Sequence, residues 1–245
     1  MRQYRFLFVC GLHRSGTSLV FQSLREHPSV SGFSNTPSPE DEGQFLQTVY
    51  PPARDFGGPG RFGFAEAAHM NETSPLASAA SARKLFAEWA PYWDLTKPVL
   101  LEKSPPNLLR TRFLQALFPN SYFLTVIRHP VAVALATEKW SRTTLESLVE
   151  HWCVCHERFE ADRPHLRNLS VLRYEDFVAA PQSCLDKVCD FAGLAPVGVK
   201  REVSPRPNED YFERWRSLQS ESETGCIVER FNERVKAFGY RLDEV

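Results

Sequence analysis

Residues 6–19 read FLFVCGLHRSGTSL. Phe6, Leu7, Phe8, Val9 and Cys10 are an unbroken apolar run, the pattern of a strand buried on both faces of a parallel sheet. Gly11 and Gly16 then bracket a loop of phosphate-binding length, and Thr17 and Ser18 open a helix expected to run toward Leu24 and His27. Backbone amides in such a loop, added to the positive end of a helix, form a site for a phosphate-like dianion. The nucleotide-triphosphatase signature requires Lys directly after the second glycine, where this chain has Thr17. The cation sits inside the loop instead, as Arg14, which favours a ligand handled without metal.

Working outward, 245 residues with 42% hydrophobic and 24% charged content suffice for one large core, so residues 1–245 are read as a single domain. Segments 28–70 and 200–223 are expected to be loops covering the site, because they are polar or rich in Pro, Gly and aromatics. A net charge of −1 gives no electrostatic ground for nucleic-acid binding. No separate charged, apolar and small-residue regions precede the first strand, and no apolar run approaches a membrane span; the chain is expected to be cytoplasmic. The six cysteines show no paired CxxC spacing and are read as scattered buried thiols.

Residues 99–101, 122–127 and 169–172 are three further apolar strand candidates. Helical spacing of apolar residues marks 74–92, 107–118, 145–159, 181–194 and 224–238. Strand, helix, strand order predicts a three-layer α/β fold of the P-loop NTPase-like kind, a central, mostly parallel sheet flanked by helices. Ligands in such sheets sit beyond the carboxyl ends of strands, which places Lys103 beside the loop if its strand neighbours the first. Glu40, Asp41 and Glu42 fit the first turn of a helix as well as they fit a site. Residues 50–64, with Gly57, Gly58, Gly60 and Gly63 among Phe56, Phe62 and Phe64, fit either a mobile aromatic rim over an acceptor site or an ordinary surface loop.

Gly11, Arg14, Ser15, Gly16, Thr17 and Ser18 resemble the 5′-phosphosulfate loop of sulfotransferases that use 3′-phosphoadenosine 5′-phosphosulfate (PAPS), particularly the tyrosylprotein, heparan and bacterial branches. The resemblance continues through Glu42-Gly43-Gln44-Phe45, Glu102-Lys103-Ser104-Pro105, Arg128 and Arg173-Tyr174-Glu175-Asp176, so it spans 6–194. It implies metal-free transfer of a sulfuryl group from PAPS to a hydroxyl or similar acceptor, leaving adenosine 3′,5′-bisphosphate. It also implies Glu42 as general base, with Glu40 second, and Lys103 at the sulfuryl group and bridging oxygen. Arg14, Ser15, Gly16, Thr17 and Ser18 would cradle the 5′-phosphosulfate, and Arg128 would meet the 3′-phosphate.

This chain departs from the family at two points. The serine usual eight residues after Arg128 is Ala136, so either adjacent Thr137 supplies the hydroxyl or one hydrogen bond is missing. The catalytic His of small-molecule sulfotransferases, two residues after the Lys, is Pro105, which supports a carboxylate base and leaves His13 and His69 as substitutes. Tyr174 is open between nucleotide contact and packing, while Glu175 and Asp176 fit a helix start. Arg201, Arg206, Arg214 and Arg216 are equal candidates to close over the 3′-phosphate.

The acceptor is expected to be a small molecule, lipid or glycan. A P-loop kinase or other nucleotide-dependent phosphotransferase remains the alternative enzyme, weakened by the missing Lys. A catalytically inactive nucleotide-binding module is the alternative outside catalysis.

Overall fold

The computed structural model describes all residues except 2, 201, 202, 204–207 and 219–221, together with the side chains of 222 and 223. Five parallel strands are described: β1 (Arg5–Gly11), β2 (Val30–Gly32), β3 (Val99–Lys103), β4 (Ser121–Ile127) and β5 (Leu169–Arg173). Their order is β2-β3-β1-β4-β5. The loop-bearing strand is therefore central, paired with β3 on one side and β4 on the other. Both flanks are hydrogen-bonded and both faces covered, which is why 6–10 tolerate no polar residue: Leu7, Phe8, Val9 and Cys10 have no exposed surface.

Parallel neighbours cannot be joined by hairpins, so the chain crosses over through helices. These are α1 (Thr17–Arg25), α2 (Ala79–Trp89), α3 (Thr111–Leu117), α4 (Pro130–Ser141), α5 (Leu145–Asp162), α6 (Tyr174–Ala179), α7 (Pro181–Phe191), α8 (Glu209–Leu218) and α9 (Ser222–Lys236). The α/β architecture with helices around a parallel sheet is the one read from the sequence. Among the described residues, no helix is long and apolar enough to cross a membrane.

Four segments differ in local structure from the sequence reading. Segment 28–70 contains the edge strand β2 and a chain of short 3-10 turns, and it is packed into the protein: Phe33, Gln44, Tyr50 and Phe62 are buried. The aromatic rim of 50–64 is accordingly divided, since Phe62 stacks edge-on against His151 in the interior while Phe64 is exposed. Segment 200–223 contains α8, anchored by Trp215, whose Nε1 donates to the Leu242 carbonyl. The helix expected over 107–118 is a 3-10 turn at Pro105–Leu109 followed by α3; between them the fully buried Arg110 donates from Nη2 to the Pro51 carbonyl.

Five cysteines are buried and Cys226 is exposed. Two apolar clusters organise the interior. One holds the sheet between α1, α2, α3, α6 and α7; the other joins α4, α5, α8 and α9 to residues 53–68. Cys10 belongs to the first and Leu12 to the second, so the loop after β1 lies on the seam between them.

The second cluster and its borders enclose imidazoles that burial keeps neutral. His13 and His151 are lowered from 6.5 to about 3, and His129 and His156 to about 4, each chiefly by removal from water. In the unfolded chain these groups take up protons near pH 6.5, so the stability held above that pH is lost progressively as pH falls toward 4. Glu102, raised by burial to about 7, and Glu42, also raised by burial, work in the opposite direction over the same range but are two groups against four. Denaturant midpoints should therefore fall between pH 6.5 and 4; a flat or rising midpoint would contradict the buried neutral histidines.

Candidate active site

The site is assembled at the carboxyl ends of β1, β3 and β4. After Gly11 the chain turns sharply, with left-handed backbone at Arg14 (φ 68°) and Gly16 (φ 95°). Ser15 Oγ donates to the Leu12 carbonyl at 2.7 Å, closing the turn from within. The helix that follows has no side-chain cap, so its first-turn amides at Thr17 and Ser18 point toward the loop mouth. Successive amides of this kind form a concave anion site.

Gly16 is required twice over. Its φ suits glycine, and an added Cβ would lie 2.2 Å from the ring of Tyr174. That ring is packed on the loop on one side and against the Arg128 guanidinium, 4.4 Å from its centroid, on the other. Arg128 closes β4 and donates from Nη1 to the Arg14 carbonyl at 2.8 Å and from Nε to Asn208 Oδ1 at 2.8 Å. Arg14 is exposed and lies over the ring of Trp140 at 5.1 Å. Thr17 is buried, and Ser18 Oγ donates to Glu40 at 3.4 Å.

The second half of the site comes from β3. Its last residue, Lys103, pairs in register with Val9 and is buried. Lys103 Nζ donates to Glu42 Oε1 at 3.2 Å, and Gln44 Nε2 donates to Glu42 Oε2 at 2.5 Å. Burial raises the Glu42 carboxyl above its ordinary range, with Lys103 as the chief opposing influence. His13 lies close enough to Lys103 for that charge to add to the lowering of its pKa, and its Nδ1 is enclosed without a partner.

The structure thus brings Glu42, Lys103 and the loop 11–18 together, with Arg128 and Tyr174 beside the loop. Glu40 stays beside the loop, accepting from Ser18 Oγ at 3.4 Å, but is exposed. Other candidates lie elsewhere. His69 is held by Asp162 at 2.7 Å, in a cluster with Arg112. Thr137 Oγ1 is buried without a partner in a small pocket with Leu12, His13, Gly60, Leu148 and His151. Arg201 and Arg206 lie outside the described residues. Arg214 pairs with Glu138 at 2.6 Å on the surface, and Arg216 is exposed on α8.

Two contributors were missed. Asn208 bridges Arg128 to Glu175, which also accepts from the His129 amide and the Tyr240 hydroxyl. Nothing local marks this residue, because its partners lie 33 and 80 positions away. Glu102 accepts the Gly43 amide at 3.0 Å, and its signal was present: a carboxylate inside a buried strand needs donors.

A parallel sheet with an anion-binding turn after its central strand, and a buried Lys and carboxylate at the neighbouring strand end, defines a P-loop-like group-transfer enzyme. The profile described as Sulfotransferase family matches residues 7–197, and the chain belongs to that family. It is by class a sulfotransferase. In fold it is similar to the sulfotransferase domain of the Synechococcus PCC 7002 olefin synthase (TM-score 0.59, 18% identity, 96% of this chain and 94% of that one). It is also similar to the sulfotransferase domain of the curacin biosynthetic pathway (0.53, 19%, 93% and 97%) and to a sulfotransferase from Alicyclobacillus acidocaldarius (0.52, 18%, 95% and 94%). No curated protein matches the sequence.

Gly16→Ala should lower unfolding stability by about 2 kcal/mol or more through backbone strain and the Tyr174 contact. Tyr174→Ala in that background should recover part of the loss. An unchanged denaturant midpoint for Gly16→Ala would contradict the packing of Tyr174 on the loop.

Proposed function

We propose that the protein transfers the sulfuryl group of PAPS to the hydroxyl of a small-molecule, lipid or glycan acceptor, with Glu42 as general base. The observation that carries this reading is the Glu42–Lys103 pair, buried beside an anion-binding loop. The amides of Gly16, Thr17 and Ser18, with Arg14, hold the 5′-phosphosulfate. The acceptor oxygen attacks sulfur in line, and its proton passes to a Glu42 oxygen. As the new S–O bond forms, the bond to the bridging oxygen breaks, and its electron pair leaves on adenosine 3′,5′-bisphosphate. Lys103 stabilises that developing charge. Transfer of a charged trigonal group is served mainly by positioning and fixed electrostatics, as in phosphoryl transfer.

Arg128 supplies positive charge for the 3′-phosphate at the end of β4, and Tyr174 offers a ring beside it. The nearby exposed aromatics Phe64 and Trp140 suit an acceptor that is partly apolar. Glu42 is favoured over Glu40 and the histidines because it alone pairs with Lys103 among the described carboxylates.

Glu42→Gln should lower kcat by at least about 100-fold, the scale of a general-base contribution. Affinity for adenosine 3′,5′-bisphosphate should stay nearly unchanged; normal turnover would remove Glu42 as base. Because its carboxyl titrates above the ordinary range, kcat/KM should fall as pH drops through a pKa above 4.5. Arg128→Ala should weaken the bisphosphate far more than adenosine 5′-phosphate, and equal weakening would place Arg128 away from the 3′-phosphate.

A further inference from the structure

Glu42 belongs to no strand or α-helix. Its backbone is extended, at φ −80° and ψ 123°, between two short 3-10 turns, so secondary structure does not hold its carboxylate in place. What meets this segment is the end of β3. Strand β2 stops at Gly32, opposite Leu101, and β3 continues past it through Glu102 and Lys103.

Over this stretch three consecutive residues engage three consecutive residues. Glu102 Oε1 accepts the Gly43 amide at 3.0 Å, Lys103 Nζ reaches the Glu42 side chain at 3.2 Å, and Ser104 Oγ accepts the Gln44 amide at 2.9 Å. Ser104 Oγ in turn donates to Glu102 Oε1 at 2.6 Å, and Asn107 Nδ2 donates to Glu102 Oε2 at 2.5 Å. The opposite edge of the segment is fixed by Trp89 Nε1, which donates to the Gly43 carbonyl at 2.9 Å. Gly43 is seated so closely that a Cβ would lie 2.5 Å from Glu102 Oε1.

Glu102 has no exposed surface, and burying a carboxylate is costly unless its oxygens are used. An apolar side chain would fill a β3 position at lower cost but would leave the buried Gly43 amide without an acceptor.

We propose that Glu102 is a positioning residue for sulfuryl transfer: through the Gly43 amide and Ser104 it fixes the backbone beside Glu42 and so the place of the general base. The inference rests on Glu42 being that base. Glu102 is not assigned a contact with donor or acceptor; its hydrogen bonds hold the 42–44 backbone, and its carboxyl also interacts electrostatically with Glu42 and Lys103. A displacement of about 1 Å at the reacting groups is worth on the order of 100-fold in rate, which sets the size of the expected effect.

The test combines turnover, calorimetric binding of adenosine 3′,5′-bisphosphate and amide hydrogen exchange of the peptide containing Gly43 and Gln44. Glu102→Ala should cut kcat by on the order of 100-fold, leave the bisphosphate Kd unchanged and accelerate exchange in that peptide. Glu102→Gln, whose amide oxygen still accepts from Gly43, should restore both turnover and protection. Ser104→Ala, which frees the Gln44 amide and removes one donor to Glu102 but leaves the Gly43 amide its acceptor, should show the same changes in smaller measure and serves if Glu102→Ala does not fold.

In a Glu42→Gln background, Glu102→Ala should cost no further turnover. Unchanged exchange and turnover in Glu102→Ala would overturn the proposal. So would loss of bisphosphate binding in parallel with kcat, no rescue by Gln, or a full additional loss in the Glu42→Gln background. If Glu42→Gln alone proves fully active, the base assignment fails, and the exchange comparison by itself decides whether Glu102 holds the segment.

Discussion

Lys103 and Glu42 face each other across 3.2 Å in an interior that leaves each almost no exposed surface. Two charges taken out of water are tolerated only when each answers the other and their remaining valences are met, and removing one partner strands the other. Much of the site satisfies that requirement. Gln44 covers the second oxygen of Glu42, and Gln44 is itself held by the Ala53 amide, which donates to its Oε1 at 2.8 Å. The pair also joins segments 61 residues apart in the chain, a separation that only the completed sheet bridges.

The position of the pair follows from the topology. With β1 central and β3 and β4 on its flanks, the loop 11–18, Lys103 and Arg128 all emerge at the same end of the sheet. The helices α4, α5, α8 and α9 then form their own apolar cluster beside that end, and the loop lies between the two interiors. Arg128 links the parts, since it donates to the Arg14 carbonyl while Asn208, from the segment leading into α8, accepts from it. A ligand anion at the loop would thus meet groups contributed by both halves of the molecule.

Much of this was legible in the residues. Four strands announce themselves as apolar runs, and Lys103 falls at the end of a strand next to the first, as the rule that ligands gather beyond strand ends leads one to look for. Strand β2 was not legible, because three residues after Pro28 carry no periodicity. The turn at Arg110 escaped detection because its cause is a hydrogen bond to Pro51, 59 residues away. Segment 200–223 reads as polar loop because charged and polar residues dominate it, although Tyr211, Phe212, Trp215 and Leu218 of α8 line up to pack on the second cluster. Glu102 was in plain view as a charged residue inside a buried strand, and its role emerges only once the Gly43 amide is seen to need an acceptor.

The account rests on a donor site that binds a 3′-phosphorylated nucleotide through a loop lacking the triphosphatase Lys. Calorimetric titration with adenosine 3′,5′-bisphosphate and with ATP, each with and without magnesium, tests this most directly. The account predicts metal-independent binding of the bisphosphate in clear preference to ATP. Magnesium-dependent binding that favours ATP would contradict it and make the protein a phosphotransferase.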